Sequence, residues 1–353
     1  MKETIRKCCE TDIPRLFELF KKIYSNNPRL REKDYFDWQF KNTPYSNREE
    51  YAFWILREGD TIQAFLGYMP LQLRYDNTIC DGCYTYNWFS LGSGVYGLKL
   101  MSRLLTEYNF TVLVGLSSIS QQIFGALGFQ LQRRMPRWVG ILQPEFVCSL
   151  SSISNPFDQG VIVESHKRLM DHQDTTGIYH CDRFNPDDEF LLDQWPEIRN
   201  YCRRTGAYLN WRYVDIPHHN YRIIRCPQNQ FGVYRIESIM GYEAKVVRVI
   251  EWTFKGDWIS KALAIILQDV FNCGGVLIDF FCTAESLGRE LIEFGFIPES
   301  ALNSRIPYLF RPLHLSDGIC TAIDMPPHQR PQQINFNEWY ITKGDSDIDR
   351  VKL

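Results

Sequence analysis

One short pattern occurs twice in this chain. Tyr35, Trp38, Pro44 and Asn47 return, in the same order and spacing, as Tyr208, Trp211, Pro217 and Asn220. One offset relates the two copies (211 − 38 = 173; 217 − 44 = 173). Four matches in a short window carry little weight alone, and collinearity decides the matter. Leu127-Gly128-Phe129 is echoed by Phe294-Gly295-Phe296 at a similar offset (295 − 128 = 167). Upstream, Thr4–Cys9 before Asp12-Ile13-Pro14 is echoed by Gly177–Cys181 before Asn185-Pro186-Asp187-Asp188. Solenoid repeats run to roughly 20–50 residues. A period several times longer predicts two copies of a whole domain.

The length of 353 residues fits two domains at about 150 residues each. A hydrophobic content of 44% is ample for two cores. With a net charge of −3 there is no electrostatic footprint for nucleic acid or an anionic membrane. The first residues lack an apolar run of signal-peptide length, and no stretch reaches the ~20 apolar residues of a membrane span. The eleven cysteines are odd in number and scattered, which fits reduced thiols and a cytoplasmic chain better than a disulfide framework. Cys80 and Cys83 form a C-x-x-C without a second pair at zinc spacing, so no metal is expected there.

The pattern along the chain predicts an α/β fold. Thr4–Cys9 reads as a strand, and Thr11 and Pro14 open a helix with Leu16, Phe17, Phe20 and Ile23 on one face. Strands follow over 51–56, 62–74 and 79–91, with Asp76-Asn77 as a hairpin turn. A glycine loop, Gly92–Gly97, opens a helix over 98–108, then come a strand over 110–116, a short helix over 120–127 and final strands to about 142. Ser, Asn and Pro in 149–160 mark a linker. The second half repeats the order, with a helix expected over 187–204, strands over 221–225, 231–236 and 244–254, a helix over 259–271, a strand over 276–281 and a helix over 286–294. The expected organisation is a first unit over 1–145, a linker over 146–174, a second unit over 175–312 and a tail over 313–353.

This order of strand, helix, meander, glycine loop, helix, strand, helix and Gly-Phe turn resembles the GNAT acyltransferase superfamily, in tandem. The resemblance covers most of the chain through its order of elements, and its point motifs are weak. It implies two units, each a mixed, mainly antiparallel sheet flanked by helices. It also implies an acyl-CoA co-substrate, acetyl-CoA or another, with no metal. Backbone amides of a glycine loop at a helix N-terminus hold the coenzyme pyrophosphate in that family. Carried to this chain, the resemblance places the cofactor on Gly92, Ser93, Gly94, Val95, Tyr96 and Gly97, with Ser117 nearby. The loop departs from the family pattern in lacking its Arg or Gln. The second half has Lys255-Gly256-Asp257 there, a poor pyrophosphate site. A frequent acid of the family, a Tyr before the Gly-Phe turn, corresponds to Phe124 and Leu291, neither of which can donate a proton.

Acyl transfer from a thioester to an amine needs a polarised carbonyl, a neutral amine and a protonated leaving thiolate. Tyr84, Tyr86 and Asn87 lie on the relevant strand of the first half, with Ser117 and Ser118 beyond it. Glu251 and Asp279 are carboxylates within apolar strands of the second half, where burial is costly unless they are paired or functional. The catalytic candidates are therefore Tyr84, Tyr86, Glu251 and Asp279. His218-His219 read as a loop pair, Arg133, Arg134 and Arg137 as a strand face open to phosphate, and Trp38 and Trp211 as core. Asp345, Asp347 and Asp349 alternate like a calcium loop, but Arg350 stands where the loop needs glycine. The expected function is N-acyl transfer to a small polar amine such as an amino sugar. Two alternatives are a Fem-like transferase using aminoacyl-tRNA and a binding protein without catalysis.

Overall fold

Two sheets share a seven-strand plan and each takes in one strand from elsewhere in the chain, and the first carries two further strands beside it. The computed structural model describes residues 3–25, 27–46, 49–92, 94–271, 273–315, 318–326 and 331–346. Its first part runs β1 (Glu3–Lys7), α1 (Ile13–Ile23), α2 (Lys33–Phe40), β2 (Phe53–Glu58), β3 (Thr61–Tyr75), β4 (Thr78–Ser90), α3 (Val95–Glu107), β5 (Phe110–Val114), α4 (Ser118–Ala126), β6 (Gln130–Gln132) and β7 (Arg137–Ile141). Helices α5 (Pro144–Leu150) and α6 (Pro156–Met170) lead to the second part. There β8 (Tyr179–Cys181), β9 (Glu189–Phe190), β10 (Asn200–Cys202), β11 (Arg204–Thr205) and α7 (Gly206–Leu209) precede β12 (Arg222–Arg225), β13 (Phe231–Ser238) and β14 (Lys245–Trp252). Then come α8 (Asp257–Phe271), β15 (Gly275–Phe281), α9 (Glu285–Glu293), β16 (Phe296–Pro298), β17 (Leu309–Phe310), β18 (Leu313–His314), β19 (Thr321–Asp324) and β20 (Trp339–Tyr340).

The first sheet has the order β1-β2-β3-β4-β5-β19-β6, and the second β8-β12-β13-β14-β15-β7-β16. In each, four antiparallel strands meet a fifth in parallel, at β4/β5 and at β14/β15. The sixth place is filled antiparallel by a strand from elsewhere in the chain. β7 lies between β15 and β16, and β19 lies between β5 and β6. β7 lies within the first expected unit but pairs in the second sheet, and β19 lies within the expected tail but pairs in the first. Periodicity cannot show this, because an apolar strand looks the same whichever sheet receives it.

The expected helix over 187–204 is not formed. Leu192, Trp195 and Ile198 are buried at a spacing of three, which mimics a helix face. They instead sit in successive turns, with Trp195 N–H donating to Leu192 O and Ile198 N–H to Trp195 O. Pro196 follows directly and has no N–H to continue a helix. β10 then pairs with β3 of the first sheet and with β20.

One aromatic cluster joins the halves. Phe20, Phe36, Phe53 and Phe65 of the first half share it with Phe184, Phe231 and Phe281 of the second. Each such buried ring contributes about 1.5–3 kcal/mol. All eleven cysteines are free thiols. Cys80 and Cys83, three apart on β4, turn to opposite faces: Cys80 Sγ donates to Leu73 O while Cys83 Sγ meets Thr111 Oγ1. Among the described residues, no helix is long and apolar enough to cross a membrane.

Candidate acyl-donor cleft

β4 and β5 stay paired only from Gly82↔Phe110 to Tyr84↔Val112. Beyond that point they part. Between β3 and β4 the register jumps from Gly67↔Tyr86 to Phe65↔Phe89, so Asn87 and Trp88 face one residue of β3. Asn87 is left-handed at this bulge, with φ 47°. A bulge bends its strand and redirects the side chains around it. The parted edges enclose a cleft of about 280 Å³. Thr85, Tyr86, Asn87 and Trp88 form one wall; Leu113 to Ser117, Ser120 and Phe124 form the other, with Tyr24 at the side.

Beyond the cleft, β4 ends at Ser90 and the chain enters the glycine loop before α3. Gly92 and Gly94 have φ of 68° and 76°, and a Cβ at either would meet nothing within 4 Å. The backbone at these two glycines is therefore bare. Among the described residues no side chain caps α3, so its first amides and its positive dipole end have no side-chain partner there. Gly97 has a different task. A Cβ there would lie 2.9 Å from Trp88 Nε1, which donates to Gly97 O at 3.0 Å. Val95 and Leu98 leave apolar surface exposed on α3, as Ile119 does on α4. Ser117 caps α4, its Oγ accepting from Ser120 N–H at 3.2 Å. Tyr96 Oη donates to Glu58 at 2.6 Å. Ser93 lies outside the described residues.

The same place in the second unit is filled by the chain itself. β14 and β15 stay paired as far as Val249↔Phe280. Residues 339–346 then rejoin the parting strands. Tyr340 Oη accepts from Trp252 N–H and donates to Glu251 Oε2, both at 2.9 Å. On the other side, Thr283 N–H donates to Ile341 O at 3.0 Å, and Cys282 bridges to Thr342. At the loop, Gly256 N–H donates to Glu290 Oε2 at 3.3 Å, so a carboxylate of the chain already takes an anion's position.

The four catalytic candidates are not brought together. Tyr86 lines the cleft. Tyr84, one turn of the pleat away, is in the core; its hydroxyl has no hydrogen-bond partner and burial holds its pKa well above the ordinary value. Glu251 is fully buried beside Arg204, whose Nη2 lies 3.1 Å from it and 2.8 Å from Asp345. Tyr213 also donates to Glu251, at 2.6 Å. Burial raises the Glu251 pKa against the pull of Arg204, and Asp345 adds to the rise. Asp279 lies in a separate ionic cluster, 2.8 Å from Arg137 and 2.6 Å from Arg248. Burial would raise it, but Arg248, Lys343 and Arg137 outweigh that and hold it below the ordinary carboxylate range.

The remaining sequence candidates are engaged elsewhere. Arg137 is held by Asp279, Glu299 and the carbonyls of Ile306 and Pro307, and Arg134 by Glu299. His218 meets Glu32 at 3.1 Å, while His219 stacks on Tyr221 and meets Arg29. Asp347 and Asp349 lie outside the described residues. Among the described residues, no group of three His, Cys, Asp or Glu side chains stands close enough to hold a metal ion. Tyr24 was missed as a cleft residue because its place in the α1 pattern reads as apolar packing.

The architecture has solved counterparts. A GCN5-related N-acetyltransferase from Anabaena variabilis aligns over 92% of this chain and 73% of its own, with 9% identity and a TM-score of 0.56. A conserved protein of unknown function from Enterococcus faecalis, described as a probable N-acyltransferase, aligns over 92% and 72%, with 8% identity and a TM-score of 0.55. The chain has a GNAT-like fold. N-myristoyltransferase from Saccharomyces cerevisiae, solved with myristoyl-CoA, aligns over 95% and 87%, with 10% identity and a TM-score of 0.50. No protein-family model and no curated sequence matches the chain.

Proposed function

We propose that this chain is an acyl-CoA-dependent N-acyltransferase with a single donor site, in its first unit. One observation carries the reading: β4, which forms a wall of the open β4/β5 cleft, continues into a glycine loop and a helix without a side-chain cap, whereas the gap of the second unit is filled by Tyr340. Unpaired edges of β4 and β5 suit the amides of a pantetheine arm. The first turn of α3 suits a pyrophosphate. Its exposed neighbours Val95 and Leu98 suit the apolar parts of the same ligand.

The acceptor would enter from the interdomain side, where Tyr86 also lines a small aromatic cavity with Trp38 and Trp211. We take it to be a small polar amine, with amino sugars as first candidates for assay. The net charge of −3 disfavours a tRNA-borne donor. No carboxylate or histidine is among the cleft-lining residues, so the amine proton would leave through water. Tyr86 is the β4 tyrosine that lines the cleft.

Calorimetric titration with coenzyme A, acetyl-CoA and longer acyl-CoAs tests the proposal, together with thermal shift. A ligand that binds only the folded state raises its apparent stability, by about 2.7 kcal/mol at a hundred times Kd. One site per chain is expected. Two sites would show that the plug in the second unit yields to coenzyme, and no binding would remove the acyl-CoA reading.

A further inference from the structure

Six described non-glycine residues have positive φ. Asp76 and Asn77 form the β3–β4 turn, Ser152 ends α5, and His218 and Asn229 lie in loops. Asn87 alone stands inside a strand, and that strand forms a wall of the donor cleft. Its Nδ2 is buried and has no hydrogen-bond partner. A buried amide donor left unbonded costs about 1–3 kcal/mol. A non-glycine residue held left-handed adds about 1–3 kcal/mol more, although Asn bears it better than most. Glycine would relieve both costs at this position. Backbone strain, a bulge and an unsatisfied donor thus coincide on one residue of the cleft wall.

We infer that the Asn87 side-chain amide donates to the thioester carbonyl oxygen of the acyl donor and holds the oxyanion formed on it. This rests on the acyl-CoA reading. The amine lone pair attacks the carbonyl carbon, a C–N bond forms, and the C=O π pair moves to oxygen, where Asn87 stabilises it. Collapse restores C=O and breaks C–S, and the pair leaves on sulfur. The amine gives up one proton to water and the thiolate takes one from water, so amide and thiol are the products. A preorganised donor of this kind is worth a factor of about 10²–10³ in kcat.

The test uses acetyl-CoA labelled with ¹³C at the carbonyl, bound to wild type, Asn87→Gly and Asn87→Ser. Glycine keeps the left-handed bulge without an amide, so the strand should fold at least as well. The expected result is a downfield carbonyl resonance in wild type that moves towards the free value in both variants. Free coenzyme A should bind them as before. Thiol release from acetyl-CoA should fall about 10²–10³-fold. An unchanged resonance and rate in Asn87→Gly would overturn the inference while leaving the donor site standing. Failure of wild type itself to bind coenzyme A would overturn the site and this inference together.

Discussion

Trp38 and Trp211, the repeated tryptophans, hydrogen-bond to each other reciprocally. Trp38 Nε1 donates to Trp211 O at 2.7 Å, and Trp211 Nε1 donates to Trp38 O at 2.9 Å. Their rings stack at 5.0 Å with 17° between planes. The duplicated element therefore marks a local two-fold relation where the halves meet, and each copy completes the other. Replacing either Trp by Phe removes one donor and leaves a buried carbonyl unpaired, for an expected loss of about 1–3 kcal/mol. The double replacement should be non-additive, since the residues touch. Urea unfolding of the four proteins measures this, and additive losses would separate the two bonds.

The strand exchange predicts that the halves are not independent folding units. A fragment ending at 150 lacks β19 between β5 and β6 and leaves β7 without its sheet. The complementary fragment lacks β7 between β15 and β16. Unpaired edges of this kind favour aggregation. Each fragment expressed alone should be insoluble, and co-expression should recover a soluble pair. A soluble, cooperatively unfolding first fragment would refute this.

At the glycine loop, charge and shape can be separated. Gly94→Asp places a carboxylate where phosphate is proposed to sit, and Gly94→Asn adds similar bulk at the same φ without charge. The coenzyme A thermal shift should vanish in the first and only weaken in the second. Gly256→Asn, in the loop occupied by Glu290, should leave it intact. Loss at Gly256 with retention at Gly94 would move the site to the other unit.

Two buried carboxylates should limit stability from opposite ends of the pH scale. Glu251 has a raised pKa, so its contribution is complete below the unfolded value of about 4.3 and is lost as pH rises through the folded value. Glu251→Gln should therefore gain on wild type as pH increases. Asp279 has a lowered pKa, and its contribution is present above about 3.9 and lost as pH falls through the folded value. Asp279→Asn should cost most near neutrality, about 3–5 kcal/mol with two arginines left facing it, and less in acid. Denaturation midpoints across pH check both slopes.

Residues 339–346 of the tail are part of the fold. Trp339, Tyr340 and Ile341 are buried, and Asp345 is held by Arg204. Deleting 336–353 would leave Arg204 and Glu251 to face each other without Asp345 and would open the β14/β15 gap. A fall in melting temperature should precede any selective loss of turnover. A fully stable truncated chain would count against the plug.

The local periods of the chain determined most elements by themselves: the long β3–β4 hairpin at Asp76-Asn77, the glycine loop before α3, and the duplication seen in Trp38 and Trp211. These signals are local, because turn residues and apolar spacing act within a few positions. Only the tertiary structure decided where β7 and β19 belong, since strand pairing depends on which edge is open rather than on the strand's own pattern. The same holds for the carboxylates. Glu251 and Asp279 stood out in the sequence as costly residues in apolar strands, but their meaning was set by Arg204, Arg137 and Arg248, brought from distant parts of the chain. An open cleft at β4/β5 has no open counterpart at β14/β15 for a like reason: Tyr340, from a distant part of the chain, occupies the second gap.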